Sequence, residues 1–192
     1  MSIAIAVHLC MARPVWRAGL RIGAGTMLDI RPMVAADSEA LLAHVRGLSV
    51  RSRHNRYLGG VNELARAEVE RLLGGAGGTV FPLIAELVEC DRRTMVGEAV
   101  YAIDRQAGSV EFALSVRDDW QGRGIGAALL AAIASCAGKA GARLLHGETL
   151  RGNDAMLALA AKVGAIEARH REDPRLVRIE RRLTAASAAL AA

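Results

Sequence analysis

The stretch with the densest chemical potential runs Val110-Glu-Phe-Ala-Leu-Ser-Val-Arg-Asp-Asp-Trp-Gln-Gly-Arg-Gly-Ile-Gly-Ala-Ala-Leu-Leu130. It passes from apolar, strand-compatible residues (Val110, Phe112, Leu114, Val116) through a charged turn into a glycine-dense segment that opens a helix. Gly122, Gly124 and Gly126 let the backbone turn tightly and leave its N–H groups uncovered. At a helix N-terminus, such N–H groups and the helix dipole suit a diphosphate. Gly122-x-Gly124-x-x-Ala127 also fits a dinucleotide fingerprint, with Glu148 placed about 20 residues on to hold a ribose hydroxyl. A third reading is a glycine-rich turn with no ligand.

The flanking elements narrow these readings. Leu28-Asp-Ile-Arg-Pro32 reads as a first strand, and Asp37 or Ser38 caps a helix carrying Leu41, Leu42, Val45 and Leu48. A basic, serine-containing link follows, Leu48-Ser-Val-Arg-Ser-Arg-His-Asn-Arg-Tyr-Leu58. A second helix is expected over Asn62–Leu73, closed by glycines from Gly74 to Gly78. Val80–Cys90, Thr94–Ile103 and Ser109–Val116 read as three strands joined by short turns, hence an antiparallel meander. That meander counts against the dinucleotide reading, which belongs to repeated βαβ units. After the glycine loop, Ile125, Leu129, Ile133 and Cys136 form one helical core stripe. Arg143–Thr149 reads as a strand, Asn153–Val163 as a helix, and Ala165–His170 with Val177–Leu183 as a terminal hairpin around Pro174. The expected order is β-α-α-β-β-β-α-β-α-β-β, a mixed, mostly antiparallel α/β domain over residues 28–183. Residues 1–27 read as a leader, disordered or loosely docked, and 184–192 as a frayed tail. Translation from Met27 is a specific option that N-terminal mass spectrometry of the native protein would settle.

Composition sets outer bounds. The chain has 192 residues, enough for one domain with a real core. Apolar residues make up 52%, yet no run reaches the roughly 18 uninterrupted apolar residues of a membrane span. Cys10, Cys90 and Cys136 are scattered without metal-ligand spacing, which points to a reducing cytoplasm and no metal site. Lysine stands only at Lys139 and Lys162, so 23 of the 25 basic residues are arginine. The net charge of +5 suits a polyanionic cofactor or an acidic partner. The six aromatics do not interleave with basic residues as nucleic-acid stacking platforms would, so no nucleic-acid or membrane partner is expected.

Gln121-Gly-Arg-Gly-Ile-Gly126 closely resembles the Gln/Arg-x-x-Gly-x-Gly/Ala pyrophosphate loop of the GNAT acetyltransferases. Asn153-x-x-x-x-x-Leu159-x-x-Lys162-Val163-Gly164 resembles that family's segment whose asparagine lies against the pantetheine. The link from Leu48 to Tyr57, Val110-Glu-Phe-Ala and Asp118-Asp-Trp-Gln-Gly are similar to the bacterial Pat-type protein lysine acetyltransferases. The resemblance covers about residues 28–183. It implies the GNAT fold, acetyl-CoA as cofactor, and acyl transfer to an amine, with a protein lysine as the first choice. Cofactor contacts are implied at Leu114, Ser115, Val116, Gln121, Gly122, Arg123, Gly124, Ile125, Gly126, Asn153 and Met156. Two positions depart from the pattern. Ala160 stands where many relatives have a tyrosine that protonates the leaving thiolate, and Ala165 replaces an aromatic.

Acyl transfer needs a neutral amine, and a lysine ammonium must first lose its proton. A carboxylate among apolar residues can take it directly or through water. Glu111 matches the catalytic glutamate of the Pat-type pattern and is the candidate base, with Glu148 as runner-up. A backbone N–H on the strand at Leu114–Val116 would stabilise the developing oxyanion. Arg123 adds charge at the diphosphate or is solvated, and Asn153 either touches the cofactor or caps its helix. His54 and His146 read as ordinary residues. Arg51, Arg53 and Arg56 read mainly as a solvated basic link. Two alternatives stay open: acetylation of a small amine, and a non-catalytic CoA-binding sensor. The oligomeric state is left open, a homodimer among the options.

Overall fold

The computed structural model describes residues 16–18, 26–74, 78–89 and 92–183. Eight strands form one sheet: β1 (Trp16–Ala18), β2 (Met27–Pro32), β3 (Val80–Glu89), β4 (Arg92–Asp104), β5 (Ser109–Val116), β6 (Leu144–Leu150), β7 (Ile166–Arg169) and β8 (Leu176–Arg182). Their order across the sheet is β1-β2-β3-β4-β5-β6-β8-β7, antiparallel everywhere except between β5 and β6. The helices are α1 (Ser38–Gly47), α2 (Val50–Tyr57), α3 (Arg66–Leu73), α4 (Ile125–Lys139) and α5 (Asp154–Lys162). This is the expected mixed α/β order with two additions, β1 and α2.

Alternation along β5 divides the core. Val110, Phe112 and Leu114 turn to one face and are buried with Ile125, Leu129 and Ile133 of α4. On the other face Leu41, Leu42 and Val45 of α1 pack with Val69 of α3 and Ile84 of β3. Each fully buried aliphatic side chain of this kind is worth about 1.5–3 kcal/mol. The two layers therefore hold the sheet from both sides, with α4 fixed directly behind the strand that precedes it.

Three expectations need correction. Residues 50–57 are a helix rather than a link, although none of them is buried, so no apolar stripe announced it. Ser49 caps it by accepting from the Ser52 N–H. The next helix begins at Arg66, not Asn62. Asp37 does not cap α1: its carboxylate accepts from the Arg31 guanidinium at 2.7 and 2.8 Å and from the Val34 N–H. The charge-assisted pair with Arg31 is the stronger partner and holds the oxygens away from the helix. Residues 16–18 of the expected leader pair with β2. The rest of that leader apart from Thr26 and Met27, Cys10, Cys90 and the tail from residue 184 lie outside the described residues.

One feature of the sheet creates the site. The parallel pairing of β5 with β6 runs only from Ser109↔Leu144 to Glu111↔His146, while both strands continue. Beyond it they diverge. At the fork Gly147 lies so close to Phe112 that a Cβ would sit 2.8 Å from the Phe112 carbonyl oxygen and 3.1 Å from its ring. Only glycine fits there.

Candidate active site

The diverging strands open a cleft of about 630 Å³. Phe112–Val116 form one wall, Gly147–Thr149 the other, and the glycine loop with the start of α4 closes one end. Gly122 and Gly124 take positive φ values of 73° and 88°, a region that penalises side chains. The first N–H groups of α4 have no intrahelical acceptor by geometry, and Gly124, Ile125, Gly126 and Ala127 all line the cleft. An N-terminal turn free of side chains and facing a groove fits a diphosphate.

Of the residues expected to touch a cofactor, Leu114, Ser115, Val116, Gln121, Gly122, Gly124, Ile125, Gly126, Asn153 and Met156 line this cleft. Arg123 does not: its guanidinium stacks on the Trp120 ring at 4.5 Å and donates to the Asp119 carbonyl. Cation–π attraction holds it over the preceding turn. Asn153 plays its structural part fully, accepting from the Met156 N–H and donating to Thr149 Oγ1 at 2.8 Å, while still forming part of the wall. Ala160 is buried and adds no polar atom to the cleft.

Helix α2 forms the remaining side. Asp118, in the turn before the glycine loop, accepts from the Ser49 N–H and hydroxyl and from the Ser52 hydroxyl at 2.7 Å. Burial pushes the Asp118 carboxyl up, but these bonds outweigh it and leave it below its ordinary value. Gln121 donates to the Val116 carbonyl at 3.0 Å and reaches Ser52 at 3.4 Å. The far end of α2 carries Arg56, which lines both the cleft and a neighbouring cavity of about 290 Å³. Phe112 and Ala113 are shared in the same way, so the two spaces meet at β5.

Beneath that junction lies a polar network that the sequence reading missed. Arg56 donates to Glu98 at 2.6 and 3.2 Å, Ser115 Oγ donates to the same carboxylate at 2.8 Å, and His44 Nε2 sits 2.9 Å from Ser115 Oγ. Glu98 is 1% exposed. Burial pushes its carboxyl up, yet the Arg56 charge and hydrogen bonds win and hold it below its ordinary value. Burial lowers His44, so the ring is neutral at pH 7. Because the Ser115 proton faces Glu98, His44 Nε2 carries the hydrogen to Ser115. The available signal was Glu98 itself, a lone charge inside the apolar run Met95-Val-Gly-Glu-Ala-Val-Tyr101.

Glu111 lies at the last β5 position paired with β6, exposed, and lines the smaller cavity rather than the cleft. The apolar enclosure expected around it is absent because its side chain points to the face opposite Val110 and Phe112. Leu41, Leu64, Val69, Leu72 and Val100 nonetheless supply apolar walls to the same cavity. Glu148 does line the cleft and sits 3.2 Å from His170 Nε2. His54 is exposed, and His146 is half-buried beside Glu111 in the strand register.

A mostly antiparallel sheet opened at one parallel pair, with a glycine loop and helix N-terminus in the opening, is not a doubly wound dinucleotide fold. Residues 83–170 match the family model described as acetyltransferase (GNAT) domain. Among curated proteins it is similar to an acetyltransferase of Pseudomonas aeruginosa, 28% identical over 149 residues, covering 78% of this chain and 80% of that one. Among solved structures it is similar to the GNAT domain of S. lividans PAT, with TM-score 0.73, 25% identity, and 90% of this chain and 96% of that chain covered. The fold is shared with spermidine N-acetyltransferase from Vibrio cholerae in complex with CoA and spermine, at TM-score 0.66 and 14% identity over 81% of this chain and 95% of that one. The protein thus has the GNAT acetyltransferase fold, and proteins it is similar to are named acetyltransferases, one of that fold solved in complex with CoA. Among the described residues no helix is long and apolar enough to cross a membrane, and no group of three or more metal-ligating side chains exists.

Proposed function

We propose that this protein transfers an acetyl group from acetyl-CoA to the ε-amine of a protein lysine, by direct attack, with Glu111 as general base, in the cytoplasm. The observation that carries the reading is the meeting of two cavities at Ala113 and Arg56, one headed by the glycine loop and one holding Glu111. Acetyl-CoA would supply the activated thioester. The glycine loop and α4 N-terminus would bind its diphosphate, and β5 beyond Glu111, still paired with β4 but open on its β6 side, would present backbone N–H groups to the thioester carbonyl. The acceptor enters by the smaller cavity, whose apolar walls suit the methylene stem of a lysine. Glu111, exposed at its edge, takes the ammonium proton directly or through water. Likeness to the S. lividans PAT domain supports the protein-lysine choice. A small amine is the second reading, favoured by the fold shared with the spermidine enzyme.

The test is steady-state turnover of Glu111→Gln against a panel of lysine peptides and small amines. Turnover should fall at least about a hundredfold, the span of general base catalysis, with the acetyl-CoA KM unchanged. Unchanged turnover would remove Glu111 from the mechanism.

A further inference from the structure

We infer that Glu148 and His170 form a positioning pair for the acceptor, in which Glu148 receives its cationic amine where the smaller cavity opens into the cleft and His170 orients that carboxylate. The inference rests on the acetyl-transfer reading and assigns to Glu148 a role distinct from that of the base.

The geometry fixes the tautomer of His170. Its Nδ1 accepts from the backbone N–H of Asp173 at 2.8 Å and of Glu172 at 3.3 Å. With that lone pair engaged, the hydrogen of the neutral ring must sit on Nε2. Nε2 lies 3.2 Å from Glu148 Oε1, within ion-pair reach, so the hydrogen-bearing nitrogen is the one beside the carboxylate. His170 itself belongs to the turn between β7 and β8, braced by Asp173, which accepts from the Arg175 guanidinium at 2.7 Å. The side chain of His170 is 13% exposed and that of Glu148 32%, so the donor is sheltered while the acceptor faces open space.

Glu148 lies in the diverging half of β6, on the wall opposite Ala113 and Ser115. Glu148 alternates with Gly147 and Thr149 and so shares a strand face with His146, whose register partner is Glu111. The two glutamates therefore stand on one side of the opened sheet, Glu111 at the fork and Glu148 beyond it. The Glu148 contact with His170 is made through Oε1, which leaves the second oxygen for a ligand. Of the cations lining the cleft (Arg51, Arg56 and Lys162), Arg56 is committed to Glu98. A cleft-lining carboxylate with one oxygen beside an imidazole is suited to receive an ammonium group. No group in this arrangement is needed to move a proton, so the pair orients the acceptor and leaves deprotonation to Glu111.

The experiment compares the wild type with Glu148→Gln, His170→Asn and His170→Gln, measuring KM and kcat for the best lysine peptide or amine of the panel. The shorter amide of His170→Asn can accept the Glu172 and Asp173 N–H groups in place of Nδ1 but cannot reach Glu148. The longer amide of His170→Gln can reach it as a donor. Glu148→Gln and His170→Asn should each raise the amine KM about tenfold, with the acetyl-CoA KM and saturated kcat within about twofold of wild type. His170→Gln should restore part of the amine KM. Wild-type behaviour of His170→Asn would reduce His170 to a turn-capping residue and overturn the inference. A loss in kcat at constant amine KM for Glu148→Gln would make Glu148 a base and overturn it too. A wild type that acetylates no amine in the panel would defeat the acetyl-transfer reading itself, and this inference with it.

Discussion

Replacing Arg56 by Met is the sharpest perturbation of the wall between the two cavities. The Arg56 side chain is 13% exposed and that of Glu98 2%, so solvent screening is small. Removing the guanidinium strips Glu98 of two hydrogen bonds and its nearest counter-charge, leaving only the Ser115 hydroxyl. Breaking one partner of a buried pair destabilises by about 3–5 kcal/mol, because the other charge stays buried. For a domain of this size each kcal/mol moves Tm by about 2–4 °C, so the midpoint should fall by roughly 10 °C. The assay is thermal unfolding followed by circular dichroism at pH 7. Glu98→Gln combined with Arg56→Met should recover part of the loss, since a neutral amide can still accept from Ser115. The gap between wild type and the single variant should also narrow in acid, where burial without the guanidinium favours a protonated Glu98. A midpoint within about 2 °C of wild type, equivalent to a kcal/mol or less, would refute the claim that this pair holds α2 to β4.

Two further outcomes follow from the same geometry. Gly147→Ala drives a methyl against the Phe112 carbonyl and ring, so it should destabilise by about 1–3 kcal/mol and weaken acetyl-CoA binding by disturbing the fork; urea unfolding at unaltered midpoint would contradict the close approach. His44 and His146 are both held below their ordinary value near 6.5 by burial, so the unfolded chain binds more protons as pH falls through that value. Stability should therefore decline below about pH 6.5, and decline again near the ordinary carboxylate range as Glu98 and Asp118, both depressed in the fold, become protonated. A urea midpoint constant from about pH 7 to about pH 5 would exclude the histidine contribution.

The parts of this protein legible from sequence were those written in periodicity and glycine. The strands flanking Glu111, the α4 stripe and the glycine loop all announce themselves through local pattern, and all stand where that pattern puts them. Helix α2 does not, because Val50–Tyr57 bury no residue and are held by Ser49 and Ser52 against Asp118 and by Arg56 against Glu98. Those partners are more than forty residues away in the chain, so no window of sequence contains the cause. The same kind of separation hid His170, whose role needs both the turn before β8 and the cleft face of β6. Arg123 shows the converse limit: its type suited a diphosphate, but Trp120 lies close enough to claim it.

The central claim is that the glycine loop and the opened strands receive acetyl-CoA. Thermal unfolding with and without acetyl-CoA, with NAD as the control ligand, tests it most directly. A ligand at a hundredfold excess over its dissociation constant stabilises the native state by about 2.7 kcal/mol, which in a domain of this size is a shift of about 5–10 °C. A rise of that size with acetyl-CoA alone is the predicted result; a rise with NAD, or with neither, would contradict the account.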